Sequence, residues 1–142
     1  MEYLEAARVL GLETPSRPVH SEIQYFDMIE RGLPVRSLRR ISSAYAPKDK
    51  SFKYRIVPKA SLARYQRSKR LSRVHSAVVS RLASVWTEAT RIWKSDDAAR
   101  DFLYRDHALL ADRKPIDLIL ENEIGAEMVK SVLGRLENGS AV

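Results

Sequence analysis

Residues 72–93 read SRVHSAVVSRLASVWTEATRIW. Val78, Leu82, Val85, Ala89 and Ile92 recur at alternating steps of four and three, and Trp86 and Trp93 widen the stripe. That period sets the apolar side chains on one face of an α-helix, where a half-buried strand would need a step of two. Ser72 is placed to cap the helix by accepting a backbone N–H. This longest helix is expected to be the central element of the core, and its seam is also a candidate dimer interface.

The pattern stays helical on both sides. Upstream, Tyr3, Leu4, Ala7, Val9 and Leu10 form a short stripe that ends at Gly11, a residue suited to a helix C-cap. Two prolines in Thr14-Pro15-Ser16-Arg17-Pro18 mark a linker. Ser21 with Gln24 fits a capping box, followed by Ile23, Phe26 and Ile29 and closed by Gly32. Pro34 opens a helix with Val35, Leu38, Ile41 and Tyr45 on one face, and Pro47 stops it. Phe52 and Ile56 suggest one small helix, and Pro58 sits at the first turn of another, with Leu62 and Tyr65 inward.

Downstream, Asp96 starts a short helix through Phe102 and Leu103, and residues 104–114 read as a polar loop. Pro115 opens a helix with Ile116, Leu118 and Ile119. Asn122 caps a last one carrying Ile124, Met128, Val129, Val132, Leu133 and Leu136. Gly139, Ser140, Ala141 and Val142 make a small uncharged tail. No strand-like alternation longer than a few residues stands out, and no internal repeat. The expected fold is all-α, with about eight helices.

Composition narrows the function. The 142 residues include no Cys, which excludes a disulfide framework, thiolate metal sites and a Cys nucleophile. No apolar run approaches the roughly 20 residues that cross a bilayer. The start, MEYLEAARVLGLE, is acidic where a signal peptide is basic, so the expected setting is cytoplasmic, and nucleoid-associated when bound to DNA. The net charge of +7 conceals a segregation: residues 31–75 hold 14 basic side chains and one acid, Asp49, while residues 1–30 sum to −4 and residues 106–142 to −3. So concentrated a positive block calls for an anionic polymer partner.

No catalytic constellation is present. His20, His75 and His107 are far apart in sequence, and HExxH, a Walker loop, GxGxxG and GxSxG are missing. Asp96-Asp97 most simply complement a helix dipole. The expectation is a binding protein, not an enzyme, with no cofactor, metal site or catalytic residue.

The basic block has the layout of a DNA-reading helix-turn-helix, a short helix followed by a basic one starting near Pro58. Lys59, Ser61 and Arg64 would meet base edges in the major groove, while Arg55, Arg67, Lys69, Arg70 and Arg73 suit phosphates. The alternative is a basic RNA- or ribosome-associated binding module. Docking on an anionic membrane is weaker, because the apolar residues of 48–70 are needed in the core.

The C-terminal third resembles the Xre/MbcA/ParS family of antitoxins, partners of RES-domain toxins. Phe102-Leu103, Leu109-Leu110 and Arg113-Lys114-Pro115-Ile116-Asp117-Leu118-Ile119 follow its "FL … L-G-G-R-x-P-L-D-L-L" pattern. Gly125-Ala126-Glu127-Met128-Val129 and Leu133-Gly134-Arg135-Leu136-Glu137-Asn138-Gly139 resemble its "GA–(x)–V … L-G-R-I-E-x-G" finish. Upstream, Gly32-Leu33-Pro34 is similar to the start of the family's Xre-like helix-turn-helix, and Pro58 to Arg64 to its recognition helix. There are departures. KDKSFKYRI stands in place of the first helix of the DNA-reading pair, and the family's Gly-Gly pair falls on Ala111-Asp112, which are expected to adopt left-handed conformations less freely.

The resemblance implies an Xre-like helix-turn-helix N-terminal domain packed on a small helical C-terminal toxin-binding domain. On this reading, residues 1–18 are an N-terminal helix and linker and 19–75 the DNA-binding domain. Residues 76–95 are a connecting core helix, and 96–142 the toxin-binding domain. It implies repression of the protein's own operon at double-stranded operator DNA, and cover for the active site of an NAD-degrading RES-domain toxin. The implied toxin-binding residues are Arg113, Arg135, Leu136, Glu137, Asn138 and Gly139. A homodimer within a toxin–antitoxin hetero-oligomer is expected, since helix-turn-helix readers bind two-fold sites.

Overall fold

The structure, a computed structural model, describes residues 2–139. The tail residues Ser140, Ala141 and Val142 lie outside the described residues. Among the described residues there are eight α-helices and two 3-10 turns and no strand, as the periodicity predicts. The chain forms two compact units, residues 1–84 and 85–142.

The first unit opens with α1 (Glu2–Val9). It ends at Gly11, whose φ of 76° lets Gly11 N–H reach the Arg8 carbonyl at 3.0 Å and Leu12 N–H the Ala7 carbonyl at 2.8 Å. α2 (Glu22–Arg31) starts at Ser21, whose hydroxyl accepts the Gln24 N–H at 3.2 Å. The return half of the expected capping box is displaced by one residue: the Gln24 side chain accepts the N–H of His20, at 2.7 Å.

The inward face of α2 differs from the stripe read in sequence. Tyr25 is buried and donates to or accepts from Ser80 Oγ at 3.0 Å, whereas Ile23 and Phe26 are 63% and 54% exposed. Tyr25 and Ile29 are four apart and share a face, which places Ile23 on the far side of the helix. Burial pushes the Tyr25 phenol above its ordinary pKa, so it stays a neutral hydrogen-bonding group.

α3 (Val35–Tyr45) buries Val35, Leu38, Ile41 and Tyr45 as its sequence predicts. Tyr45 donates to the Leu82 carbonyl at 2.7 Å and stacks on Phe52 at 5.9 Å between ring centroids. The small helix expected around Phe52 is a 3-10 helix, Phe52–Arg55. Just before it, the Asp49 carboxylate accepts both the N–H and the hydroxyl of Ser51. Those bonds hold the Asp49 carboxyl below its usual pKa.

α4 (Lys59–Ser68) and α5 (Arg73–Trp93) follow. Ser72 caps α5, accepting the His75 N–H at 3.2 Å. The residues of α5 buried in this unit are Ser76, Val79, Leu82 and Ala83, so the seam is rotated slightly from the Val78 position. Ser76 sits inward because its hydroxyl accepts the buried Leu33 N–H at 2.8 Å. Gly32 (φ 104°) packs so close to residue 71 that a Cβ there would lie 2.3 Å from the Leu71 carbonyl oxygen.

The second unit contains the last turns of α5, then α6 (Asp96–Leu103), α7 (Pro115–Glu121) and α8 (Glu123–Glu137). Leu103, Ile116, Ile119, Val129 and Leu133 are its inaccessible core. α7 and α8 are joined by Asn122 alone, whose side chain accepts the Gly125 N–H at 2.9 Å. A Cβ on Gly125 would lie 1.9 Å from the Leu118 carbonyl oxygen, so the corner depends on a missing side chain. Ile124 and Met128 of the apolar α8 pattern are exposed instead of buried.

The stretch read as a polar loop is ordered by a 3-10 turn, Ala108–Leu110, and by a bridge in which His107 N–H donates to the Arg113 carbonyl at 3.1 Å. Ala111 and Asp112 do adopt the left-handed region, with φ of 56° and 58°. The loop thus keeps a conformation that these two residues adopt less freely than glycine. The Asp112 N–H bond to the His107 carbonyl (3.0 Å) and the buried Leu110 hold the turn despite the cost of about 1 kcal/mol per non-glycine residue.

Candidate functional site

The basic block of the first unit is carried mostly by α4 and its flanks. Only Leu62 is buried on α4, while Lys59, Arg64 and Arg67 are exposed. Pro58 precedes the helix without a side-chain cap, and no acid lies in the first turn, so its positive end is uncompensated. Ser61 accepts from the Arg64 guanidinium at 3.4 Å, which brings these two side chains together near the helix start, while Lys59 projects from a different side of the helix. Lys53 and Lys59 both lie over the Tyr54 ring, at 5.4 and 5.0 Å from its centroid, and Arg55 lies over Phe52.

The remaining cations lie at the end of α4 and the start of α5, with contacts of their own. Lys69 ends α4 in a left-handed conformation (φ 64°), and Arg70 donates to the Gly32 carbonyl at 3.3 Å. Arg73 is 3.5 Å from Glu30. The eight residues singled out in sequence thus divide into an exposed helical set and a flank partly occupied with the protein itself. The element before α4 is the 3-10 turn, so the pair is not two full α-helices.

The histidines make no catalytic arrangement. His75 Nδ1 lies 2.8 Å from the Tyr65 hydroxyl and 3.4 Å from Ser72 Oγ, with no carboxylate beside it. Burial and the neighbouring Arg64 charge hold its pKa below the ordinary value. His107 Nδ1 accepts the Leu109 N–H at 3.2 Å and so serves as a cap. Among the described residues, no three His, Asp or Glu side chains gather as metal ligands.

The second unit holds a pocket of about 300 Å³. Its wall is a ladder of rings: Trp93 lies 5.9 Å from Phe102, and Phe102 lies 6.0 Å, edge-on, from His107. Leu136 of α8, Asp101 and Arg105 also line the pocket. Trp93 is 38% exposed and the nearby Leu109 43% exposed, an amount of apolar surface suited to a protein partner.

Of the residues the resemblance points to here, Leu136 lies in this pocket. Glu137 pairs with Arg91, a contact that holds the Glu137 carboxyl below its usual pKa and anchors the end of α8 to α5. Arg113 and Arg135 are exposed. Asn138 and Gly139 close the helix, their N–H groups reaching the Gly134 and Leu136 carbonyls at 3.0 and 3.2 Å. Sequence reading did not single out Trp93, Phe102 and His107 as a site, because each looked like a core or capping residue in isolation.

Residues 88–139 match the model of the antitoxin Xre/MbcA/ParS C-terminal toxin-binding domain. A search of curated proteins found no match.

Proposed function

We propose, from the match of residues 88–139 to the Xre/MbcA/ParS C-terminal toxin-binding domain, that the chain is the antitoxin of a RES-domain toxin that degrades NAD, and that it represses its own operon. The family match is the observation that carries the reading. The ring-lined pocket lies within the matched segment and supplies an anchor site of the kind that dominates protein interfaces. On this reading the toxin contacts the end of α8 at Leu136 and the exposed Arg135 next to it, with Glu137, Asn138, Gly139 and Arg113 around the contact. The chain's own role is steric and electrostatic cover, with no catalytic group of its own.

The DNA role rests on α4. Its uncompensated N-terminus and exposed Lys59, Arg64 and Arg67 suit a duplex, with Ser61 and Lys59 toward base edges and Arg55, Lys69, Arg70 and Arg73 toward phosphates. About six phosphate contacts would give a log–log salt slope near −5. Because the α5 seam is buried within the protein, the exposed Ile23 and Phe26 of α2 are the better dimer face.

Two assays test this. Purified chain is mixed with the RES-type protein encoded beside it, and NAD loss is followed; Leu136→Asp should abolish protection while leaving promoter binding intact. Mobility shifts on the promoter fragment should weaken about tenfold for Lys59→Ala and for Arg64→Ala, with toxin binding unchanged. Failure of the wild-type chain to slow NAD loss, or to prefer its promoter over random duplex or RNA, would overturn the corresponding half.

A further inference from the structure

A second concavity lies in the first unit, well away in sequence from the toxin-binding segment. It measures about 580 Å³, within the range of small-ligand sites. Five cations line it, Arg17, Arg31, Arg36, Lys69 and Arg70, and no carboxylate does. They come from the 14–17 turn, the end of α2, the start of α3 and the end of α4, so only folding gathers them.

Their surroundings leave the charge unanswered. Among the described residues, Arg70 is the one of the five whose side chain has a hydrogen bond, to the Gly32 carbonyl. Glu13, four residues before Arg17, accepts the Val19 N–H, and Glu30, beside Arg31, pairs with Arg73. α3 starts at the cleft with Pro34 and no side-chain cap, has no acid in its first turn, and adds Arg36 to the positive end of its own dipole. Like charges converging on a helix N-terminus repel one another unless an anion sits among them. The floor is apolar, made by Leu12, Pro18, Val19 and Met28.

We propose that this cleft binds a small polyphosphate, with a nucleoside polyphosphate as the ligand class. Several closely spaced negative charges match five converging cations, and the apolar floor suits a flat base. A duplex matches less well, because its phosphates lie on a convex rod, while the cations here line a recess. The lining residues fall outside the matched segment 88–139, and the site does not depend on α4 reading DNA.

The experiment titrates full-length protein with inorganic tripolyphosphate and with ATP, by calorimetry and thermal shift, using sulfate at matched ionic strength as the control. Saturable binding at or below about 1 mM is expected, with ATP tighter than tripolyphosphate if the floor takes the base. Arg31→Gln/Arg36→Gln should weaken it by about tenfold or more, and Arg64→Gln on α4 should not change it. Arg17→Gln, in an exposed turn, serves as the second probe should the double variant lose its helical circular dichroism. Equal binding of tripolyphosphate and ATP would assign the site to the phosphates alone and still support it. Absence of saturation beyond the sulfate effect overturns the proposal. So does an unchanged affinity in the cleft variants, or a loss confined to promoter duplex.

Discussion

Adding one methyl group to α8 at two positions should have opposite effects. Gly125 and Gly134 lie on the same helix. A Cβ at Gly125 would stand 1.9 Å from the Leu118 carbonyl oxygen and 2.6 Å from its carbon, while a Cβ at Gly134 meets nothing within 4 Å. Ordinary contact needs at least 3.4 Å, so Gly125→Ala must drive α7 and α8 apart by about 1.5 Å at their tightest corner. Overpacking of that kind costs about 3 kcal/mol, and the better helix propensity of Ala offsets about 1 kcal/mol, leaving a net loss near 2 kcal/mol. Gly134→Ala has only the propensity effect and should gain about 0.5–1 kcal/mol. At roughly 4 °C per kcal/mol for a chain of this size, the first variant melts about 8 °C lower and the second about 3 °C higher. Both tryptophans, Trp86 and Trp93, lie in the second unit, so urea unfolding followed by tryptophan fluorescence reads the relevant region. Gly125→Ala within about 0.5 kcal/mol of the parent, or equal responses of the two variants, would refute the close approach of the two helices.

Other outcomes follow from the same structure. Ala111→Gly relieves a left-handed alanine and should stabilise the second unit by about 0.5–1 kcal/mol in the same fluorescence assay, whereas Ala111→Val should destabilise it. His75 has a folded pKa held below the usual value, so the unfolded chain takes up the proton first as pH falls through about 6.5. Stability should therefore decline on acidification from neutrality and level off once the folded histidine is also protonated. His75→Gln should flatten that part of the urea-midpoint profile, and an unchanged profile would show that His75 is not its source. The proposed α2 dimer face requires that Phe26→Glu lower the mass read by light scattering to that of a monomer without loss of helical circular dichroism, because the side chain is already exposed within the protomer.

Local chemistry was legible along the chain. The helix count, the Ser21, Ser72 and Asn122 caps, the Gly11 and Gly32 stops, and the Pro34 and Pro115 starts depend on neighbours within a turn, which any sequence window contains. The segregation of positive charge into residues 31–75 was equally open to reading, since it needs no geometry. The C-terminal motif order also pointed to the family whose domain matches residues 88–139.

What periodicity left undecided was which competing residue faces inward and which distant residues meet. Ile23 and Phe26 satisfied a helical stripe as well as Tyr25 and Ile29 did; the choice fell to Tyr25 because Ser80, on another helix, offers its hydroxyl a partner. Ala111 and Asp112 argue locally against left-handed backbone, yet the His107–Arg113 bridge requires it. Trp93, Phe102, His107 and Leu136 become one pocket, and Arg17, Arg31, Arg36, Lys69 and Arg70 one cleft, only when helices separated in sequence pack together. Sequence thus determined the elements and the charge, because these arise from short-range interactions. Tertiary structure decided the sites, because a site is a set of long-range coincidences that no local propensity encodes.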